Sequence, residues 1–140
     1  MPDTTPITVE TLVQAPVEKV WRYWTEAEHI QQWNNASEDW HTPHATVDLR
    51  EGGTFTSRME SKDGSVGFDF KGTFTKVLPQ KTIEYSREDG RKVSVTFEDY
   101  SGNTSVVETF DPEQENPLEM QRQGWQAILQ NFKKYAESHI

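Results

Sequence analysis

The sequence predicts an α+β fold: a seven-stranded curved antiparallel sheet wrapped around one long carboxy-terminal helix, with two short helices after the first strand. Three observations predict it. Turn signals recur at short intervals between alternating segments from residue 45 to residue 110, the mark of an antiparallel meander. Apolar residues then recur at helical spacing from Leu118 to Tyr135. An early amphipathic stretch separates the first strand from the rest. Because the helical apolar surface arrives last, it must be buried on the concave face of the sheet already formed.

The elements follow in order. "ITVETLVQ" (7–14) alternates, with Ile7, Val9, Thr11 and Val13 on one face, as a half-buried strand does. Pro16 suits the first turn of a helix, where its missing N–H is not needed. Val17, Val20, Trp21 and Trp24 then form one apolar stripe at i, i+3, i+4 and i+7. A second helical piece carries "EAEHIQQW" to Trp33. "NNASEDWHTPH" reads as an irregular connection, with Pro43 denying a continued helix.

Strands are expected at 45–50, 54–60, 66–78, 82–87, 92–98 and 104–110. Their boundaries are set by "EGG", "KDGS", "PQK", "EDGR" and "YSGN", which supply residues that tolerate tight turns. Alternation places Phe55, Ser57 and Met59 together, then Phe68, Phe70, Gly72 and Phe74, then Ile83, Tyr85 and Arg87, then Val93, Val95 and Phe97. After "DPEQENP", the residues Leu118, Trp125, Ile128, Leu129, Phe132 and Tyr135 predict a helix of roughly 20 residues, about 30 Å long. Gly124 lies inside it at a cost near 1 kcal/mol against alanine; either close approach to the sheet or a bend would account for it. No repeat, low-complexity tract or second domain interrupts residues 7–138.

Composition narrows the function classes. At 140 residues, with 33% hydrophobic and 11% aromatic side chains, one domain with a core or a cavity-bearing shell is expected. A net charge of −9 argues against nucleic acid and against anionic membrane surfaces. The absence of cysteine excludes disulfides, thiolate metal sites and cysteine nucleophiles. "MPDTTPITVE" has neither a basic region nor an apolar run, and no stretch approaches the roughly 18 apolar residues of a membrane span. A soluble cytoplasmic protein is the expectation.

Four phrases carry a family resemblance: "APVEKVWRYWTEAEHIQQW", "LREGGTF", "GTFTKVLPQKTIEYS" and "RQGWQAILQNFKKY". In this order they resemble the START/Bet v-like (SRPBCC) superfamily, and within it the branch of the activator of the heat-shock-protein-90 ATPase. The resemblance spans about residues 7 to 138. It implies a helix-grip fold, a sheet curled around the last helix with a cavity between them. Members of the superfamily bind lipids, sterols, polyketides and other apolar molecules there, and some catalyse cyclisation or dehydration. The eukaryotic activators use their domain to bind a chaperone and carry an additional amino-terminal domain, whereas this chain reads as a lone domain.

The strand faces and the resemblance together mark the candidate site residues. Trp33, Trp40, Phe55, Phe68, Phe70, Tyr85, Phe97, Trp125, Leu129 and Phe132 are the expected cavity wall. Trp40 is either a lid ring over the cavity or a ring folded on the outside of the sheet. Trp21 and Trp24 are expected to pack in the core, and Trp125 to anchor helix to sheet or touch ligand. Tyr85, if buried, needs a hydrogen-bond partner or a polar ligand group. The possible polar groups are His41, Arg87 and Glu108. Arg87 shares the face of Tyr85; inside a cavity it would favour a carboxylate-bearing ligand, and otherwise it is a rim charge.

Glu108 points inward if Val106 and Phe110 do, and outward if Val107 is the inner residue. Turned inward, it would be a candidate acid–base residue whose pKa burial raises. His41 and His44 stand three apart with Glu38 and Asp39 before them, but Pro43 between them leaves no enforced ligand geometry, so no metal and no cofactor are expected. The leading function is therefore a small-molecule binding domain for an apolar or amphipathic ligand. The alternatives are a protein that stimulates an ATP-dependent heat-shock chaperone, or a cyclase- or dehydratase-type enzyme acting inside the cavity.

Overall fold

The first and second strands form the two edges of a single sheet, and everything between them in the chain serves to cross from one edge to the other. In the computed structural model, which describes residues 4–139, the order is β1 (Ile7–Val13), α1 (Val17–Thr25), α2 (Ala27–Trp33), β2 (Trp40–Val47), β3 (Thr54–Ser61), β4 (Gly67–Leu78), β5 (Thr82–Arg87), β6 (Lys92–Tyr100), β7 (Asn103–Phe110) and α3 (Leu118–Ser138). The seven strands are arranged β1-β7-β6-β5-β4-β3-β2, with every neighbouring pair antiparallel. This is the helix-grip architecture. Among the described residues, no helix is long and apolar enough to cross a membrane.

Local chemistry explains the joints. The Pro16 carbonyl accepts the N–H groups of Lys19 and Val20, opening α1. Glu26, in extended backbone, closes α1 through its N–H to Arg22 and opens α2 by accepting from His29 and Ile30. Between β6 and β7 the two-residue loop Ser101–Gly102 has φ of 54° and 91°, the left-handed pair that matches the twist of a tight hairpin.

One stretch departs from expectation. β2 begins at Trp40, five residues before the strand expected at 45, so the irregular connection covers only 34–39. Pro43 is tolerated because β2 is an edge strand and its pairing with β3 is broken by a bulge between His41 and His44. Proline's missing donor there costs no ladder bond.

The other edge is covered by α3. Arg122 Nη1, Gln126 Nε2 and Lys133 Nζ donate to the carbonyls of Thr8, Glu10 and Leu12, at 2.8, 3.2 and 2.8 Å. These are alternate carbonyls of β1 on its unpaired side. The helix thereby occupies the groups on which a further strand could add, and its register along the sheet is fixed. Leu129, Phe132 and Ala136 are fully buried beneath it.

Gly124 does not approach the sheet. A Cβ built on it would meet no heavy atom within 4 Å, so its small size serves no packing in this structure. Gly124→Ala is expected to stabilise the protein by about 0.5–1 kcal/mol, read as a raised urea midpoint at unchanged m-value. Gly72 is the opposite case: a Cβ would come within 2.9 Å of both the Phe55 ring and the Ser86 carbonyl. Only glycine lets the Phe55 ring lie across β4 toward Tyr85.

A candidate ligand cavity between sheet and helix

Between the concave face and α3 lies a cavity of about 380 Å³. Its floor is a cluster of rings on β3, β4 and β5. Phe55 lies 4.7 Å from Tyr85 and 5.3 Å from Phe74, and Phe70 lies 6.3 Å from Tyr85, all between ring centroids. The roof is Trp125, stacked on Phe110 at 3.9 Å and 10° and edge-on to Phe70 at 6.0 Å, with Ile128 one turn further along. Trp24 and Trp33, 4.9 Å apart, close one side. Trp33 is held in place by its indole N–H, which donates to the Tyr23 carbonyl at 2.9 Å.

Of the residues expected at the wall, Trp33, Phe55, Phe68, Phe70, Tyr85 and Trp125 front this space, and so do Arg87 and Glu108. Phe97, Leu129 and Phe132 do not. Phe97 is covered by α1, with Trp21 at 5.3 Å and Trp24 at 5.9 Å, because that helix crosses the end of β6. Phe132 lies behind Trp24 and Trp33, at 4.8 and 4.9 Å, and these two rings stand between it and the cavity. Leu129 is fully buried in the same layer.

Trp40 is opposite Ser61, on the face that Met59 shares, and leans on Phe68 at 6.1 Å. It is therefore one ring outward from the wall, neither over the cavity nor on the outside of the sheet. His41, the next residue, points the other way and pairs with Glu60 at 3.5 Å. The alternation that puts Trp40 on the concave side takes His41 off it. Among the described residues, the three metal-capable groups that converge are Glu26, Glu28 and His29, not His41 and His44. The His29 Nδ1 is already engaged by the Tyr135 hydroxyl at 2.6 Å.

Wall residues not anticipated include Trp24, Ile30, Met59, Phe74, Phe110 and Ile128. Periodicity had marked most of them as inward. It carries no signal that separates a side chain facing a void from one facing another side chain.

Ten of the 24 lining residues are polar or charged, and those on the central strands are ordered in rows. Register places Ile83, Val95, Glu108 and Val9 side by side across β5, β6, β7 and β1, with Tyr85, Val93, Phe110 and Ile7 in the next row. Arg87 is one row further, at the end of β5. Glu108 is thus deep and Arg87 is at the mouth.

Glu108 is 5% exposed and makes no hydrogen bond, yet no buried side-chain polar atom lacks a partner among the described residues. Its carboxyl oxygens therefore open onto the cavity. Burial raises its pKa from 4.5 to about 8, so it is a neutral acid and a hydrogen-bond donor at pH 7. Tyr85 is pushed above the usual phenol range, first by burial and then by the Glu108 charge, and stays protonated. Arg87 holds its guanidinium carbon 4.5 Å above the Phe70 ring. Burial, and next the charge of Arg91, pull its pKa below the usual arginine range.

Fold and cavity together define a helix-grip domain with an internal, aromatic-walled chamber. Residues 14–137 match the family described as Activator of Hsp90 ATPase homolog 1-like protein, and the chain belongs to that family, within the SRPBCC superfamily. The solution NMR structure of an AHSA1-like protein from Aeromonas hydrophila is 45% identical with a TM-score of 0.89, over 95% of this chain and 92% of that one. A solution structure from Cytophaga hutchinsonii is 52% identical with a TM-score of 0.82, over 94% and 92%. A crystal structure from Nitrosomonas europaea, 20% identical over 97% and 96% with a TM-score of 0.84, shares the fold. No functionally curated protein matches the sequence.

Proposed function

We propose that this protein binds an apolar or amphipathic small molecule in the chamber between sheet and α3. The observation that carries the reading is the chamber itself. Its volume of about 380 Å³ falls within the range of ligand sites. More than half of its lining is rings and aliphatic side chains, which gain by shedding water. The polar groups set among them are what a binding site uses to orient a guest. Trp24, Trp33 and Trp125 front the space, so occupancy should change the protein's tryptophan emission.

The test combines native mass spectrometry with tryptophan fluorescence against a panel of fatty acids, sterols and aromatic polyketides. A stoichiometric bound mass with a saturable emission change is expected. No bound mass and no saturable response across the panel would sink the reading.

A second reading rests on the family's description, which names the activator of a chaperone ATPase. On that reading the protein docks on an ATP-dependent heat-shock chaperone and changes its ATPase rate. Titrating the purified protein into its host's chaperone tests it; an unchanged rate up to a large molar excess removes it. Acid–base catalysis within the chamber would draw on Glu108, with Tyr85 as a second polar group.

A further inference from the structure

We infer that Arg87 is an anion-binding group at the mouth of the chamber, and that the ligand is an amphipathic carboxylate whose apolar body lies on the rings of Phe70, Phe55 and Tyr85. The inference rests on the chamber being a ligand site and specifies the class of molecule it takes.

The chain has six arginines. Five hold a carboxylate: Arg22 with Glu26 at 3.5 Å, Arg50 with Asp48 at 3.0 Å, Arg58 with Glu60 at 3.1 Å, Arg91 with Asp89 at 2.6 Å and Arg122 with Glu119 at 3.6 Å. Arg87 holds none among the described residues. Its guanidinium carbon instead sits 4.5 Å from the centre of the Phe70 ring, half-buried, on the wall of the chamber. With 23 acidic side chains in the sequence, a half-buried arginine left without a carboxylate stands out.

Asp111 and Glu113, which line the chamber together with Arg87, and Asp89 two residues along are already committed to other donors. Asp111 accepts the Lys92 N–H at 2.9 Å. Glu113 accepts the backbone and side-chain N–H groups of Asn116 at 2.7 and 2.9 Å. The loop that carries Glu113 is pinned by Gln121, which exchanges bonds with its backbone N–H and carbonyl at 2.9 and 3.0 Å. Asp89 is held by both the backbone and the guanidinium of Arg91. None comes within ion-pairing distance of Arg87, so no carboxylate of the described residues occupies its donor fork. A planar fork of this kind matches a carboxylate bidentately, and partial removal from water strengthens the match.

Geometry sets the size of the guest. Arg87 and Glu108 are two strands and two rows apart, about 10 Å across the sheet and about 13 Å along it. A two-ring or medium-chain body fits this span with its carboxylate on Arg87. The neutral Glu108 carboxyl faces whatever polar atom the far end carries.

The experiment compares matched pairs by isothermal titration calorimetry and by emission from the wall tryptophans: naphthalene-2-carboxylate against its carboxamide, and decanoate against decan-1-ol. In the unaltered protein each acid should bind about tenfold or more tighter than its neutral partner, and the preference should shrink with added salt. Arg87→Met should abolish the preference, the acids losing far more affinity than their neutral partners, and Arg87→Lys should retain part of it. Equal binding of acid and neutral partner keeps the chamber as a ligand site and overturns the anion site. Failure of all four compounds removes both. Should Arg87→Met not fold, the acid preference of the unaltered protein and its salt dependence still decide the matter.

Discussion

The protein's stability should fall as pH rises from about 5 to 8, by an amount on the order of 4 kcal/mol, and Glu108→Gln should abolish the fall. The sign follows from proton counting. The Glu108 carboxyl titrates at 4.5 when the chain is unfolded and at about 8 when burial surrounds it. Between those values the native state holds a proton that the unfolded chain has released. Raising the pH therefore favours unfolding, by about 1.4 kcal/mol for each pH unit at most. The Glu108 contribution to the slope should vanish well below 4.5 and well above about 8. Water reaching the carboxyl through the chamber would reduce the size of the effect without reversing its direction.

Asp63, Asp89 and Glu137 act outside that window. Hydrogen bonds from Ser65 hold Asp63 down to about 2. Bonds from Arg91 lower Asp89, and those from Lys133 and the Gln14 backbone outweigh burial at Glu137. A group lowered on folding adds stability that is present above its unfolded pKa and lost below it. Urea denaturation at half-unit pH intervals, with Glu108→Gln beside the unaltered protein, makes the measurement. The glutamine fills nearly the same shape and cannot ionise, so the two proteins should agree near pH 5 and diverge by pH 8. Parallel curves would mean that Glu108 is solvated.

Phe132→Ala should be the most damaging single truncation of a ring in this fold, at about 3–5 kcal/mol. The ring is fully buried and packs edge-on against Trp24 and Trp33 at 4.8 and 4.9 Å. These are the rings that separate it from the chamber. Its removal leaves a void closed on every side, which is the costly kind. Phe70→Ala should cost less than half as much, because Phe70 is only partly buried and already faces open space. The two variants therefore distinguish packing from lining. Phe132→Ala lowers the thermal midpoint strongly, whereas Phe70→Ala changes ligand capacity more than stability. Equal losses would show that the chamber is filled in solution.

Much of the architecture was legible in the residues. The alternation of "TIEYSR" and "KVSVTFE" gave two strands and their inner faces, and the spacing of Leu118 to Tyr135 gave a helix, because both periods follow from backbone geometry. The start of β2 was not legible. Pro43 argues against a strand unless the strand lies at an edge and bulges, and edge position is a property of the assembled sheet. The covering of β1 by Arg122, Gln126 and Lys133 was equally hidden, since long polar side chains on a helix read as solvated.

By itself, the sequence determined which side of most strands faces the helix, with β2 and β7 the exceptions, because alternation is a local rule. It determined the family through phrases spread along the whole chain. Only the tertiary structure decided that Glu108 is an inner residue, through its alignment with Val95 and Val9 on neighbouring strands. Only the tertiary structure separated the rings that surround a void from those that fill one. Trp24 was expected in the core and fronts the chamber; Phe132 was expected at the wall and lies behind it. Both sit on apolar faces of their helices, and a void is the place where two such surfaces fail to meet. That depends on the curvature of the sheet and the seat of the helix upon it, which no single segment specifies.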